Sequence, residues 1–99
     1  MGDYLAKVDK DLEDLIPRYL ESVKQYTADM QKLLAVPDLT ALARIAHNLK
    51  GSGGGYGFMP ITTLGASIET AARAGDSAGI PDLLAQLQDY TLNVKIEFV

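Results

Sequence analysis

Residues 12–34 read LEDLIPRYLESVKQYTADMQKLL, and their apolar side chains recur at steps of three and four residues. The apolar positions are Leu12, Leu15, Ile16, Tyr19, Leu20, Val23, Tyr26, Thr27, Met30, Leu33 and Leu34. Such spacing over about six turns is typical of an amphipathic α-helix. Pro17 is compatible with a helix that starts within the preceding turn, where its missing N–H has no partner to lose. We therefore predict a helix over 12–35, preceded by a short helix or turn in residues 1–10.

Three further segments show the same helical periodicity, and no segment alternates with period two for long enough to predict a strand. The predicted helices cover 38–54, 58–74 and 77–97. We expect Asp38 to be the N-cap or a first-turn acid of the second helix, and Gly75 to end the third. Asp76 or Ser77 is expected to cap the fourth.

Four amphipathic helices joined by short connections can bury their apolar faces only against each other. We therefore predict an all-α fold, an antiparallel up-down-up-down four-helix bundle with a short extra N-terminal helix or turn. The chain has 99 residues, of which 47% are hydrophobic and 22% charged, an ordinary composition for one globular core. We expect a single domain over 1–99. A start at Met1 and a complete bundle favour a free-standing protein over a piece of a larger kinase.

The composition excludes several classes of site. The chain has no cysteine and a single histidine, which rules out a disulfide framework, a thiolate metal site and a zinc site built on two histidines. Nine Lys and Arg against thirteen Asp and Glu give a net charge of −4, so we expect no binding to nucleic acid or to membranes. The first ten residues lack the apolar region of a secretory signal, and we expect a cytoplasmic protein.

The most unusual stretch is 46–57, which reads AHNLKGSGGGYG. Five of its last seven residues are glycine, and a glycine inside a helix costs about 1 kcal/mol relative to alanine. Selection for stability alone would remove several of these glycines. We interpret them as a bare surface that lets another protein approach closely.

A reactive side chain lies at the start of this glycine-rich stretch. If the helix continues, one outward face carries Arg44, His47, Lys50, Gly51 and Gly54. His47 is then expected at the edge of the core, with its imidazole facing solvent. The charge of Lys50 disfavours the imidazolium form and favours an anionic phosphoryl group nearby. A neutral imidazole is a competent nucleophile.

The run from His47 to Gly51, with Gly54 and Gly57 at matching offsets, resembles the phosphoacceptor motif of histidine-containing phosphotransfer (HPt) domains. The similarity extends to residues 15–20, which resemble the first long helix of that family, and to 64–76, which resemble the third. It therefore covers nearly the whole chain. The glycine triplet at 53–55 is richer than the family pattern requires.

The resemblance implies a phosphocarrier of a two-component phosphorelay, in which His47 accepts a phosphoryl group from a receiver aspartyl phosphate and passes it to another receiver aspartate. The implied partners are response-regulator receiver domains and a sensor histidine kinase, hybrid or otherwise, and the protein is expected to be a monomer. We expect no kinase, ATPase or hydrolase activity and no cofactor, since Mg²⁺ is expected only in the partner receiver. A partner can complete the positioning and charge stabilisation that phosphoryl transfer needs.

Several roles stay open. Lys50 and Arg44 either contact the phosphoryl group or the partner, or are solvated surface charges. The resemblance places Glu69 near the acceptor helix, where it either bonds the far ring nitrogen and fixes the tautomer or is a solvated carboxylate. An apolar run just after the glycines, Phe58, Met59 and Ile61, forms either a docking patch or core.

Other functions fit the sequence less well. The main alternative is a non-catalytic helical adapter that docks receivers or kinases and merely retains the motif. A nucleotide-binding loop is disfavoured because Lys50 precedes the glycines, whereas a P-loop lysine follows them. A phosphate hydrolase is disfavoured because no second nucleophile, base or metal cluster accompanies the histidine.

Overall fold

The computed structural model describes residues 4–99. Within these residues the chain forms four α-helices, two short strands and two 3-10 turns. The elements are β1 Tyr4–Val8, α1 Ile16–Ala35, α2 Leu39–Ser52, α3 Met59–Arg73, α4 Ile80–Asn93 and β2 Val94–Phe98. The 3-10 turns cover Lys10–Leu15 and Gly54–Tyr56.

The helices pack as a bundle, which confirms the predicted all-α fold class. α1 contacts α2 and α4, α3 contacts the same two helices, and the contact between α2 and α3 is the most extensive. Each helix contributes fully buried side chains, among them Val23, Met30, Leu42, Leu49, Ile61, Ile68, Ile80 and Leu87. Burying one such side chain contributes about 1.5–3 kcal/mol, so packing along these stripes is what stabilises the bundle. None of the helices in residues 4–99 has the length and apolar character needed to cross a membrane.

A strand replaces the helix or turn that was expected before α1. β1 pairs in parallel with β2, in a register that runs from Tyr4 opposite Val94 to Val8 opposite Phe98. Ala6 and Val8 are buried while the residues between them are exposed, which is the alternation of a strand. The local prediction was wrong for 4–8 because the hydrogen-bonding partner lies about ninety residues away in the sequence. Residues 1–3 of the predicted segment lie outside the described residues.

The fourth helix is shorter than the predicted 77–97. It ends at Asn93, and residues 94–98 form β2, in which three partly buried apolar residues alternate with exposed Lys95 and Glu97. It also begins later, with Gly79 at the N-cap, so the expected capping by Asp76 or Ser77 is wrong.

The first helix begins at Ile16 rather than near residue 12, because residues 10–15 form a tighter 3-10 turn capped by the Asp9 carboxylate. Pro17 lies in the first turn of α1, as expected. The Asp38 carboxylate accepts a hydrogen bond from the Ala41 N–H at 3.1 Å, which confirms it as the N-cap of α2. α2 ends at Ser52, two residues before the predicted end at 54.

The third helix covers 59–73 rather than 58–74, and Gly75 follows it with φ 73°, the left-handed conformation expected of a residue that ends a helix.

A chain of aromatic rings fixes the end of α2 against the rest of the bundle. Tyr56 stacks on Tyr19 of α1 with ring centroids 4.1 Å apart, and Tyr19 lies parallel to Phe58 at 5.9 Å. Phe58 meets the edge of Tyr90, which in turn meets Tyr4 of β1. The segment after α2 is therefore packed against α1 through Tyr56 and against α4 through Phe58, and Tyr90 extends this chain of rings to β1.

Candidate functional site

His47 lies on α2 and faces away from the bundle. Its neighbours Ala46 and Leu49 are fully buried against the other helices, which turns the intervening part of the helix toward solvent. The His47 side chain is 62% exposed. The imidazole is therefore accessible to a second protein.

One ring nitrogen of His47 is held and the other is not. Nδ1 lies 3.0 Å from Oε2 of Glu69 on α3, whose side chain is only 10% exposed. Within residues 4–99, Nε2 has no hydrogen-bonding partner. Of the two roles that the sequence left open for Glu69, this geometry corresponds to the hydrogen bond to the far ring nitrogen.

Gly65 explains how α3 comes close enough to α2 for this contact. A Cβ atom on Gly65 would lie 2.7 Å from the Lys50 amide nitrogen and 2.9 Å from the Ala46 carbonyl oxygen. Only a glycine permits this approach of two backbones, and Glu69 follows it by about one helical turn. The sequence-based prediction did not include Gly65. An isolated glycine within a helical pattern was the available signal.

Glu69 is surrounded by cationic groups. Arg73, one turn later on α3, places Nε at 3.0 Å and Nη2 at 2.9 Å from Glu69 Oε2. Lys50 places Nζ 3.6 Å from the other oxygen, Oε1. Arg73 was also missed, although its position four residues after a glutamate was a usable signal.

These contacts determine the charge of Glu69 and, through it, the tautomer of a neutral His47 ring. Removal from water raises the pKa of the Glu69 carboxyl, but hydrogen bonds from Arg73 and His47, together with their charges, outweigh that effect and lower it overall. The carboxylate is therefore ionised at neutral pH and can only accept hydrogen bonds. Its contact with Nδ1 requires the ring proton to be on Nδ1, which leaves the lone pair of a neutral imidazole on Nε2.

The glycines of the predicted bare surface divide into two kinds. Beside Gly51 and Gly55, apart from the adjoining residues and the helix's own backbone, no atom of the described chain lies within 4 Å of where a Cβ would stand, so the surface there is open. A Cβ on Gly53 would lie 2.7 Å from the Thr62 amide nitrogen. Gly54 donates its N–H to Thr62 Oγ1 at 2.7 Å, and a Cβ there would meet a side chain of α3. Gly51 and Gly55 thus form the open part of the surface.

Gly57 serves the fold rather than the open surface. It adopts φ 95°, and a Cβ there would lie 2.9 Å from the Lys7 carbonyl oxygen of β1. Both the left-handed backbone and the close approach favour glycine.

The remaining candidates separate by exposure. Arg44 is exposed and forms no ion pair or side-chain hydrogen bond with any residue in 4–99. Phe58 and Ile61 are fully buried and belong to the core, whereas Met59 is 59% exposed. Of the three apolar residues considered for docking, Met59 alone is available at the surface in the described part of the chain.

The fold and the site define a helical bundle with one exposed histidine on its second helix. In residues 4–99 no group of three or more His, Asp and Glu side chains is placed to hold a metal ion. The Hpt domain family model matches residues 4–95, and the chain belongs to that family. Membership implies histidine phosphotransfer in phosphorelays, and Hpt domains typically interact with receiver domains and histidine kinases. Searches of curated proteins and of solved structures found no significant match.

Proposed function

We propose that this protein is a phosphocarrier whose His47 accepts a phosphoryl group from the aspartyl phosphate of one receiver domain and passes it to the aspartate of another. The observation that supports this role most directly is the exposed imidazole whose Nδ1 lies 3.0 Å from the buried Glu69 carboxylate. The proposed setting is a cytoplasmic two-component phosphorelay fed by a sensor histidine kinase.

The transfer step uses the lone pair on Nε2. This nitrogen attacks the phosphorus atom in line with the bond to the receiver aspartate; the N–P bond forms, the P–O bond breaks, and the aspartate carboxylate leaves with the electron pair. The ring acquires positive charge as the N–P bond forms. Glu69, in contact with the proton on Nδ1, stabilises that charge. Transfer to the second receiver reverses these bond changes.

Lys50 is assigned to the phosphoryl group. It lies three residues after His47 on the same helical face, its side chain is 49% exposed, and its contact to Glu69 is the longest of the three at 3.6 Å. A phosphoryl group on Nε2 brings two negative charges to this face, and an ammonium group stabilises them. The proposal gives this chain no cofactor and leaves Mg²⁺ to the receiver.

Phosphoryl transfer from labelled receivers tests the proposal. A panel of receiver domains, phosphorylated with radioactive phosphate, is incubated with this protein, and the transferred label is tested for stability in acid and in base. We expect an acid-labile, base-stable label on the protein, the behaviour of a phosphoramidate. His47 is the chain's single histidine, so phosphohistidine can form only there.

The His47→Gln variant distinguishes a carrier from an adapter. It should bind receivers with unchanged affinity and acquire no label. Label retained by His47→Gln, or no transfer to the unmodified protein from any receiver of the panel, would contradict the proposal. Receiver binding without any labelled intermediate would favour the non-catalytic adapter.

A further inference from the structure

The side chains of His47, Arg73 and Lys50 contact the Glu69 carboxylate, but they do not all contact the same oxygen. His47 Nδ1 and two nitrogens of Arg73, Nε and Nη2, all lie 2.9–3.0 Å from the same oxygen, Oε2. Lys50 approaches the other oxygen at 3.6 Å. The oxygen that faces the imidazole is therefore fixed by Arg73 and not by Lys50.

We propose that Arg73 is a positioning residue for phosphotransfer, which holds Glu69 Oε2 against His47 Nδ1 and so keeps the ring proton away from Nε2. This inference rests on the proposed function, because it concerns the nitrogen that accepts the phosphoryl group. It gives a role to a residue that does not touch the imidazole itself.

Arg73 is better suited to this task than Lys50. Arg73 and Glu69 lie on the same helix one turn apart, so their contact does not depend on how α2 and a docked partner move. The guanidinium group of Arg73 directs two donors in one plane, Nε and Nη2, at the single oxygen Oε2, and so holds that oxygen more firmly than one ammonium donor would. Lys50 is then free to turn toward a phosphoryl group on His47 while Arg73 still holds Glu69.

Loss of Arg73 would release the carboxylate. Glu69 would keep Lys50 as its one cationic partner, on the oxygen that faces away from the ring, and would turn toward it. With no acceptor fixed at Nδ1, the ring proton is shared between both nitrogens. Every molecule with its proton on Nε2 lacks the lone pair that attacks phosphorus.

Nitrogen NMR of the unphosphorylated protein measures the tautomer without any phosphotransfer. Long-range proton–nitrogen correlations of the neutral His47 ring give the fraction that carries its proton on Nδ1. We expect that fraction to be high in the unmodified protein and clearly lower in Arg73→Gln. Arg73→Lys keeps the charge but loses the paired donors, so its fraction should lie between the two. Arg18→Gln removes an exposed arginine of α1 and serves as the matched control, with an unchanged fraction.

Phosphotransfer kinetics supply the second measurement. The rate of acceptance by Arg73→Gln should fall in proportion to the lost tautomer fraction, about two- to fivefold, while Arg18→Gln transfers normally. An unchanged Nδ1–H fraction in Arg73→Gln, or a fraction in Arg73→Lys no higher than in Arg73→Gln, overturns the proposal. If no receiver transfers to the unmodified protein, the proposed function fails, but the NMR comparison still decides whether Arg73 fixes the tautomer.

Discussion

Glycines lie near both the inner side of α2, which faces α3, and its outer side, which faces solvent, but for opposite reasons. On the inner side, Gly65 of α3 lies against the backbone of Ala46 and Lys50, where a Cβ would approach to 2.7 Å. On the outer side, Gly51 faces open space, as does Gly55 in the 3-10 turn that follows α2. The inner glycine is needed because two backbones touch, whereas the outer ones are needed only if something else must come near.

We therefore expect the inner side of α2 to determine the stability of the bundle and the outer side to determine how closely a partner can approach. Changes on the inner side should alter the packing of α2 on α3 and, with it, the contact between His47 and Glu69. Changes on the outer side should leave that contact intact and act on the approach of a partner. The following variants test whether the two sides are independent in this way.

Lys50 belongs to both sides, because its amide lies against Gly65 while its ammonium reaches the Glu69 carboxylate near the surface. Lys50→Ala removes the ammonium group and leaves the backbone amide that packs against Gly65. We expect phosphoryl acceptance about ten- to a hundredfold slower, equivalent to about 1.4–2.7 kcal/mol, because the charge that stabilises the phosphoryl group is lost. Single-turnover transfer from a labelled receiver measures the rate of acceptance.

The control for Lys50→Ala is Lys32→Ala, on the last turn of α1. Unchanged kinetics in Lys50→Ala would show that Lys50 is an ordinary surface charge.

Gly65→Ala should disrupt the packing of α3 against the inner side of α2. The new methyl group collides with backbone atoms that cannot rotate away, so the helices must separate, at a cost of about 1–3 kcal/mol in the free energy of unfolding. Urea denaturation measures the loss, and slower phosphotransfer should accompany it because the His47–Glu69 contact lengthens. Gly55→Ala, at a glycine with open space around it and no positive φ, should change stability by only about a few tenths of a kcal/mol. Equal stability of the two variants would refute the packing role of Gly65.

Gly51→Ala should have a smaller effect on stability and of the opposite sign. Gly51 is helical, exposed and without neighbours, so alanine should stabilise the protein by about 0.5–1 kcal/mol through its better helix propensity. The same methyl group stands on the surface that we expect a receiver to approach, and transfer should become slower. Greater stability with unimpaired transfer would show that the outer surface need not be bare.

The dependence of stability on pH gives the smallest effect. The pKa of Glu69 in the folded protein is lowered from its ordinary value of 4.5. Its contribution to stability is therefore fully present above pH 4.5 and is lost as the pH falls through the lowered value. The difference in unfolding free energy between the unmodified protein and Glu69→Gln should shrink as the pH falls from 4.5 through that lowered value, with a slope of at most one proton. A difference that stays constant across this interval would contradict the ionised state of Glu69.

The outer side of α2 could be predicted from the sequence because it depends on one helix. The spacing of His47, Lys50 and Gly51 puts them on a common face whatever packs behind them. The inner side depends on how α3 is aligned with α2, and no local pattern contains that alignment. Glu69 was therefore left with two possible roles, and neither Gly65 nor Arg73 was predicted.

The two strands, β1 and β2, were even harder to predict from local sequence patterns. The alternation of Val94, Ile96 and Phe98 with charged residues was visible, but it is only five residues long and continues directly from a helical pattern. β1 carries an even weaker alternation. A short parallel strand has no reason to form until its partner is in place. Both segments were assigned to helix or turn because their pairing joins residues about ninety positions apart.

The parallel pairing of β1 and β2 also determines how the protein would respond to tension. Tyr4 begins one strand and Phe98 ends the other, so a pull that separates these two residues acts on the neighbouring strands in opposite directions along their common axis. Shear of this kind loads the hydrogen bonds of the ladder together, whereas peeling would break them one after another. The smallest element of the fold is thus the first to bear the load, and the helix that carries His47 is shielded from it.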